Sequence, residues 1–198
     1  MRHVLHARSG LSLVEVAIGL ALLAVVGFQA AEIFHFSATS QSEGVSTLAL
    51  DEHARSVIER ITFAVMGADP ESLGPEVGPR WDADTLRYRV NLGIQDGEVV
   101  WGDSEEIGLT DSVGQVAWRQ RPDELDERRV IWSNAVRPFL EGELPNGVDD
   151  NGNGLVDESG ISFDVDGDLV TVRVTLETPR AGADPLVRTL EARVTCRN

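Results

Sequence analysis

The feature that most constrains this chain is a nearly continuous apolar run close to its amino terminus. The run lies within Arg8 to Phe36, where a short basic leader ends in Ser9-Gly10 and one carboxylate, Glu15, interrupts the apolar residues. A carboxylate in a segment of membrane character costs roughly 2.5 to 3.5 kcal/mol on insertion scales, so it is expected to have a partner or a function. At about 1.5 Å per residue, a helix of this length crosses a hydrocarbon core of roughly 30 Å.

The order of small and apolar residues distinguishes this run from an ordinary secretory leader. In an ordinary leader the cleavage site follows the apolar stretch, so the cut would fall beyond Val26. Here Gly10 precedes the apolar residues. The sequence from Gly10 to Glu15, GLSLVE, resembles the class III prepilin signal of type IV pilins and type II secretion pseudopilins. The resemblance implies cleavage after Gly10 by a membrane-embedded prepilin peptidase and methylation of the new terminus at Leu11, where the family more often has Phe.

The resemblance also implies a role for Glu15. Cleavage would create a positive amine at Leu11 within hydrocarbon, and a carboxylate one helical turn away, on the same or a neighbouring subunit, can neutralise it. The implied partners are other pilin or pseudopilin subunits, the prepilin peptidase and an inner-membrane assembly platform. The apolar helix would then be the membrane anchor first and the packing core of a filament later. The simpler alternative is that Glu15 lies in the headgroup region of an ordinary anchor.

Charges on the two sides of the apolar run predict its orientation. Arg2 and Arg8 precede it, whereas Glu32 lies near its end and Glu43 follows it. The positive-inside rule therefore leaves the amino terminus in the cytoplasm and sends the remainder outward. We expect a single-pass inner-membrane protein with a periplasmic or extracellular carboxy-terminal domain. The formal net charge of -16 repels phosphates, so no nucleic acid partner is expected.

Four regions are predicted along the chain. The resemblance implies a cleaved leader at 1–10, and the residue pattern predicts a transmembrane helix at 11–36, an amphipathic continuation at 37–67 and a β-rich domain at 68–198. Apolar residues recur at helical spacing in the third region; they are Leu50, Ala54, Val57, Ile58, Ile61 and Val65. The helix is expected to end near Gly67, since Pro70 follows.

Alternating runs bounded by turn residues predict strands in the β-rich domain. They are Thr85 to Leu92, Glu98 to Gly102, Gln115 to Arg121, Arg128 to Ser133, Gly160 to Val165, Asp168 to Thr178 and Leu186 to Arg197. The clearest hairpin surrounds Asp166-Gly167. The acidic residues Asp103, Glu105 and Glu106 are predicted to lie in an exposed loop. The fold class is α+β, a long amino-terminal helix on an antiparallel sheet, and this is also the pilin-like fold that the resemblance implies.

An Asn, Asp and Gly cluster at 146–158, NGVDDNGNGLVDE, predicts a calcium-binding loop. Hard cations take six to eight oxygens from such loops, and the spacing matches the front half of the calcium-loop pattern. The twelfth position from Asp149 is Gly160 rather than Glu, so a short loop similar to those of dockerin and thrombospondin-type repeats fits better. The alternative is a solvated turn-rich linker. The candidate calcium ligands are Asp149, Asn151, Asn153, Leu155 through its carbonyl, Asp157 and Glu158.

No catalytic constellation stands out in the sequence. It contains no Gly-rich phosphate loop, no HExxH and no nucleophile elbow, so an enzyme is not expected. Within the prepilin family, the segments DEHARSVIERITFAV and TLEARVTCRN look like the J-type minor pseudopilin of type II secretion or a related minor pilin. Two other functions stay open: a membrane-tethered calcium-binding module that never polymerises, and a secreted protein with an ordinary signal peptide.

Overall fold

A computed structural model describes residues 12–75, 78, 80–180 and 182–197. The elements in chain order are α1 (Leu13–Met66), a short 3-10 helix (Pro70–Ser72), β1 (Arg80–Ala83), β2 (Thr85–Gln95), β3 (Glu98–Leu109), β4 (Val116–Gln120), β5 (Arg128–Ser133), β6 (Ile161–Asp166), β7 (Leu169–Arg180) and β8 (Ala183–Thr195). The chain is therefore α+β, as the sequence predicted.

Helix α1 is shared by two compact units that meet between Ser46 and Thr47. In the first unit, Leu13–Ser37 is long and apolar enough to cross a membrane, judged by length and composition. None of its most apolar window is buried within the protein. A helix in the core of a soluble domain would be mostly buried, so the exposed apolar surface of this segment calls for lipid or other protein around it.

The part of α1 in the second unit is amphipathic. The predicted apolar face is buried, from Leu50 through Val57 and Ile61 to Val65, whereas Phe63 on another face is exposed. The helix ends at Met66, next to Gly67, where the sequence predicted its end. A helix with one buried stripe is stabilised mainly by packing of that stripe.

The strands form two antiparallel sheets, with orders β1-β6-β7-β8 and β2-β3-β4-β5. The prediction of one sheet is wrong in this respect, and β1 was not predicted. Strand β1 pairs with β6, from which it is far apart in sequence, so local alternation carries no sign of this pairing. A second hairpin was also missed: Asp96 and Gly97 both have positive φ and join β2 to β3, which extends β2 to Gln95.

Strand β7 lies between β6 and β8, and both of its faces are covered. Its apolar residues are fully buried and share one hydrophobic core with the apolar stripe of α1; they are Val170, Val172, Val174 and Leu176. On the opposite, polar face Thr171 and Thr175 are also buried, and the Glu141 backbone N–H donates to Thr175 Oγ1 at 3.2 Å. The polar face of β7 therefore supports the segment that leads into the loop at 146–158.

The prediction of an exposed loop at Asp103 to Glu106 is wrong. These residues lie in β3, and Glu106 is only 2% exposed. Its carboxylate accepts from the guanidinium groups of Arg87 on β2 and Arg119 on β4. Strand pairing places both arginines opposite Glu106, so a charge that reads as solvated in sequence becomes the centre of a cross-strand ion cluster.

The last strand ends in the same core. Val194 and Cys196 are buried, in the alternation that the sequence predicted. Cys196 lies just beyond the end of β8, and its N–H donates to the Asp168 carbonyl at 2.9 Å. Burial raises the pKa of the Cys196 thiol to about 11, so the thiol is expected to stay neutral near pH 7.

Gly160 is expected to tolerate no side chain. An added Cβ would lie 1.8 Å from the backbone carbonyl oxygen of Arg137, so the backbone would have to shift. We expect Gly160→Ala to lower the free energy of unfolding by about 1 to 3 kcal/mol, measured by denaturant unfolding of the full chain in detergent. In the control Gly67→Ala, the added Cβ would lie 3.6 Å from Val90 Cγ1, an ordinary van der Waals contact. Equal stabilities of the two variants would contradict this prediction.

Candidate functional site

The sequence singled out two stretches, the start of the apolar helix and the loop at 146–158. The predicted cleavage and methylation residues, Gly10 and Leu11, lie outside the residues that the structure describes. The description begins at Ser12, the residue that would be second in the processed chain. Glu15 and the neighbouring Ser12 are both among the described residues.

Glu15 and Ser12 form a reciprocal cap at the start of α1. The Ser12 backbone N–H donates to Glu15 Oε2 at 3.1 Å, and the Glu15 backbone N–H donates to Ser12 Oγ at 3.2 Å. This is the capping box, in which two otherwise unsatisfied helix donors are paired. The sequence carries a local signal for this cap, a Ser followed three residues later by a Glu. The cap holds the carboxylate beside the backbone N–H that immediately follows Leu11.

Asp149 organises the turn of the loop. Its carboxylate accepts from the backbone N–H groups of Gly152 at 2.6 Å, Asn153 at 3.2 Å and Gly154 at 2.8 Å. Gly152 and Gly154 have φ of 76° and 91°, a region that favours glycine. The carboxylate of Asp149 therefore sits inside a tight turn whose shape depends on these two glycines.

Three of the predicted ligands converge on one point. Asn151 Nδ2 donates to Glu158 Oε2 at 3.3 Å, and Asn153 Nδ2 donates to the same oxygen at 2.6 Å. Glu158 is buried, and its Oε1 accepts from Ser162 Oγ at 3.3 Å and lies 3.5 Å from Arg173 Nη1 on β7. The polar face of β7 thus holds one side of Glu158 while the loop holds the other.

The remaining predicted ligands lie elsewhere in the loop. Asp157 accepts from the backbone N–H groups of Asn146 and Gly147, at 3.1 and 3.0 Å, and so closes the base of the loop. The Leu155 backbone N–H donates to Asn153 Oδ1 at 2.9 Å. Asp157 therefore ties the two ends of the loop together, away from the point where Asn151 and Asn153 meet Glu158.

The structure adds one residue that sequence reasoning missed. Glu143 precedes the loop, is 3% exposed, and accepts from the Asn151 backbone N–H at 3.1 Å through Oε1. Asn151 therefore contacts two buried carboxylates, Glu143 through its backbone and Glu158 through its side chain. A glutamate between Gly142 and Leu144 carries no local sign of burial, so only its position under the loop identifies it.

The donor set suits a hard cation in its chemistry but is not arranged as a closed metal site. In the part of the chain that the structure describes, no three His, Cys, Asp or Glu side chains are grouped so that they could hold a metal ion. Asn151 and Asn153 meet Glu158 through their Nδ2 groups, and their side-chain oxygens accept from the backbone N–H groups of Asn153 and Leu155. Calcium would bind the amide oxygens, not these nitrogens. The calcium ligand set stays a prediction.

Comparisons with protein-family models, with curated proteins and with solved structures find no match to this chain.

Asp149 is expected to determine the order of the loop. Asp149→Ala removes the acceptor of three backbone N–H groups, so we expect the amides of residues 152–154 to exchange about tenfold faster, as the loss of roughly one net hydrogen bond would give. Hydrogen exchange followed by mass spectrometry measures this. The control is Asp150→Ala, which removes an exposed carboxylate that accepts from the Asn146 side chain. Equal exchange in the two variants would show that Asp149 does not hold the turn.

Proposed function

We propose that this chain is a prepilin-like subunit, a minor pseudopilin of a type II secretion pseudopilus or a minor pilin of a type IV pilus-like filament. The observation that carries the proposal is the pairing of Glu15 with Ser12 at the start of an exposed apolar helix. Further support comes from the sequence around Gly10, which resembles the cleavage signal of that family. The proposed cleavage is after Gly10, by a prepilin peptidase, with methylation of the Leu11 amine.

The capping geometry supports a specific role for the carboxylate of Glu15. In the processed chain the new amine would belong to the residue next to Ser12, whose N–H the carboxylate already accepts at 3.1 Å. A positive amine and a carboxylate so close in sequence can neutralise each other in a medium of low dielectric constant, either within one subunit or between neighbours. The pair would lower the free energy of placing both charges among apolar helices.

The rest of the proposal concerns assembly and topology. The apolar segment would anchor the chain in the inner membrane with the amino terminus in the cytoplasm, until the assembly platform transfers it into the filament. Helices of neighbouring subunits would then cover the apolar side chains that are exposed in the single chain. The β-rich domain would face the periplasm or the exterior, with a calcium ion stiffening the loop at 146–158. Ordinary protein–protein assembly, rather than catalysis, would be the activity.

The mass of the native amino terminus tests this function. We expect mass spectrometry of the protein purified from its own cells to show a chain that begins at methylated Leu11. A chain that keeps Met1 would favour a tethered module that never polymerises, and a start beyond Val26 would favour a secreted protein. Either of these two results would contradict the proposal.

Variants of Glu15 separate the charge of its side chain from its capping role. Glutamine can also complete a capping box, so Glu15→Gln keeps the cap and removes the charge. We expect both Glu15→Gln and Glu15→Ala to insert and to be cleaved normally, but to enter filaments at about a tenth of the wild-type level or less, because an unneutralised amine in hydrocarbon is costly. Immunoblots of sheared filaments measure incorporation.

The comparison of the two variants decides which role matters. Loss of incorporation in Glu15→Ala alone, with Glu15→Gln at the wild-type level, would assign Glu15 to helix capping. Normal incorporation of both variants would contradict any assembly role for this carboxylate.

A further inference from the structure

Glu143 is an exception among the buried carboxylates of the described residues. Buried Asp69, Glu106 and Glu158 each have an arginine partner; the pairs are Asp69 with Arg89 at 3.8 Å, Glu106 with Arg87 and Arg119, and Glu158 with Arg173 at 3.5 Å. No arginine or histidine in the described residues forms an ion pair with Glu143. Its Oε2 is buried and has no hydrogen-bond partner among those residues. Among the described residues, Glu143 is therefore the buried acid without a counter-charge.

Glu143 contacts the loop through its other carboxylate oxygen. Its Oε1 is held by the Asn151 backbone N–H, so the carboxylate lies against the middle of the loop. The side chain of the same asparagine reaches Glu158 Oε2, as does that of Asn153. Two buried carboxylates therefore bracket one asparagine, with further acidic side chains of Asp149, Asp150 and Asp157 in the same loop.

We infer that Glu143 is a ligand of a calcium ion bound by this loop, together with Glu158. The amide oxygens of Asn151 and Asn153 would join them once each amide group, whose Nδ2 faces Glu158 in this structure, turns over. This inference rests on the calcium loop in the proposed function and changes its ligand set. A buried carboxylate oxygen without a partner loses its hydration with no compensating bond, and a cation supplies that bond. Arg173 pairs with Glu158, whereas Glu143 has no such partner among the described residues, so the negative charge of Glu143 is not balanced.

The chemistry of the donors selects calcium among the common divalent cations. The set consists of carboxylate and amide oxygens, with no histidine or cysteine, which disfavours zinc and copper. Magnesium demands near-ideal octahedral geometry and gives up its water reluctantly. A glycine-rich loop that supplies ligands of mixed reach suits the larger and more flexible coordination of calcium.

Calcium titration of the full chain in detergent micelles, after treatment with a chelator, tests the inference. We expect calorimetry to show one calcium ion per chain, with binding by magnesium at least about tenfold weaker. Glu143→Gln keeps an acceptor for the Asn151 N–H but removes the charge, and we expect its Kd for calcium to rise by about tenfold or more. The matched control is Glu141→Gln, which makes the same charge change two residues away. The Glu141 side chain is exposed, and its carboxylate accepts from Thr189. The Kd of this control for calcium should stay within about twofold of wild type.

Thermal unfolding gives a second measurement. The Tm of Glu143→Gln relative to wild type is expected to differ between chelator and calcium. With chelator present, Glu143→Gln should have a Tm equal to or above that of wild type, because it removes an unpaired buried charge. With calcium present, wild type and Glu141→Gln should rise in Tm, whereas Glu143→Gln should not. Should Glu143→Gln fail to fold, Glu143→Asp keeps the charge on a shorter side chain and should still bind calcium, but more weakly than wild type.

Three results would overturn the inference: no calcium binding by the wild-type chain, an unchanged Kd in Glu143→Gln, or an equal loss of affinity in Glu141→Gln. None of them bears on the processed amino terminus, which the mass of the native chain reports separately. Calcium binding tests the inference about Glu143, and the mass of the native amino terminus tests the proposed filament function, so the two can fail independently.

Discussion

The packing of strand β7 on both faces is the constraint on which the carboxy-terminal unit depends. One face buries Val170, Val172, Val174 and Leu176 in the core that also contains the apolar stripe of α1. The other face carries Thr175, which anchors the backbone of Glu141, and Arg173, which lies beside Glu158. Because alternate residues of a strand point to opposite sides, a single strand connects the hydrophobic core to the loop that is the candidate cation site. A change that shifts the register of β7 would disturb both together.

Helix α1 has two kinds of surface along its length. Towards Met66 it has a single buried stripe, which is what packing on a protein core requires. Within Leu13–Ser37 it is mostly apolar and none of its most apolar window is buried, which is what a membrane or a bundle of like helices requires. The Ser12–Glu15 cap stands at the apolar end, where unsatisfied backbone donors would otherwise meet hydrocarbon. This combination of an apolar surface and a capped polar start is the physical basis of the filament proposal.

The β-rich unit manages its acidity by pairing buried carboxylates with arginines from neighbouring strands. The guanidinium of Arg87 bonds both Glu106 and Asp123, at 2.6 Å for the latter, and these carboxylates raise the pKa of Arg87. Such clusters fix the register of β2, β3 and β4 more than they add net stability, since desolvation offsets most of the Coulomb attraction. Glu143, a buried acid without an arginine partner among the described residues, differs from these pairs, and this difference is the basis for inferring a bound cation.

Some of this protein follows from its sequence alone. The apolar run with Ser12 and Glu15, the helical period that ends beside Gly67, most strands and the Asp166-Gly167 hairpin are local patterns, in which each residue is judged against neighbours a few positions away. The tertiary structure alone decided the division into two sheets, the pairing of β1 with β6, the burial of Glu106 between two arginines and the placement of Glu143 under Asn151. Each of these depends on residues brought together from separate elements. Periodicity along the chain records which side of an element is apolar, but not which distant element will cover it.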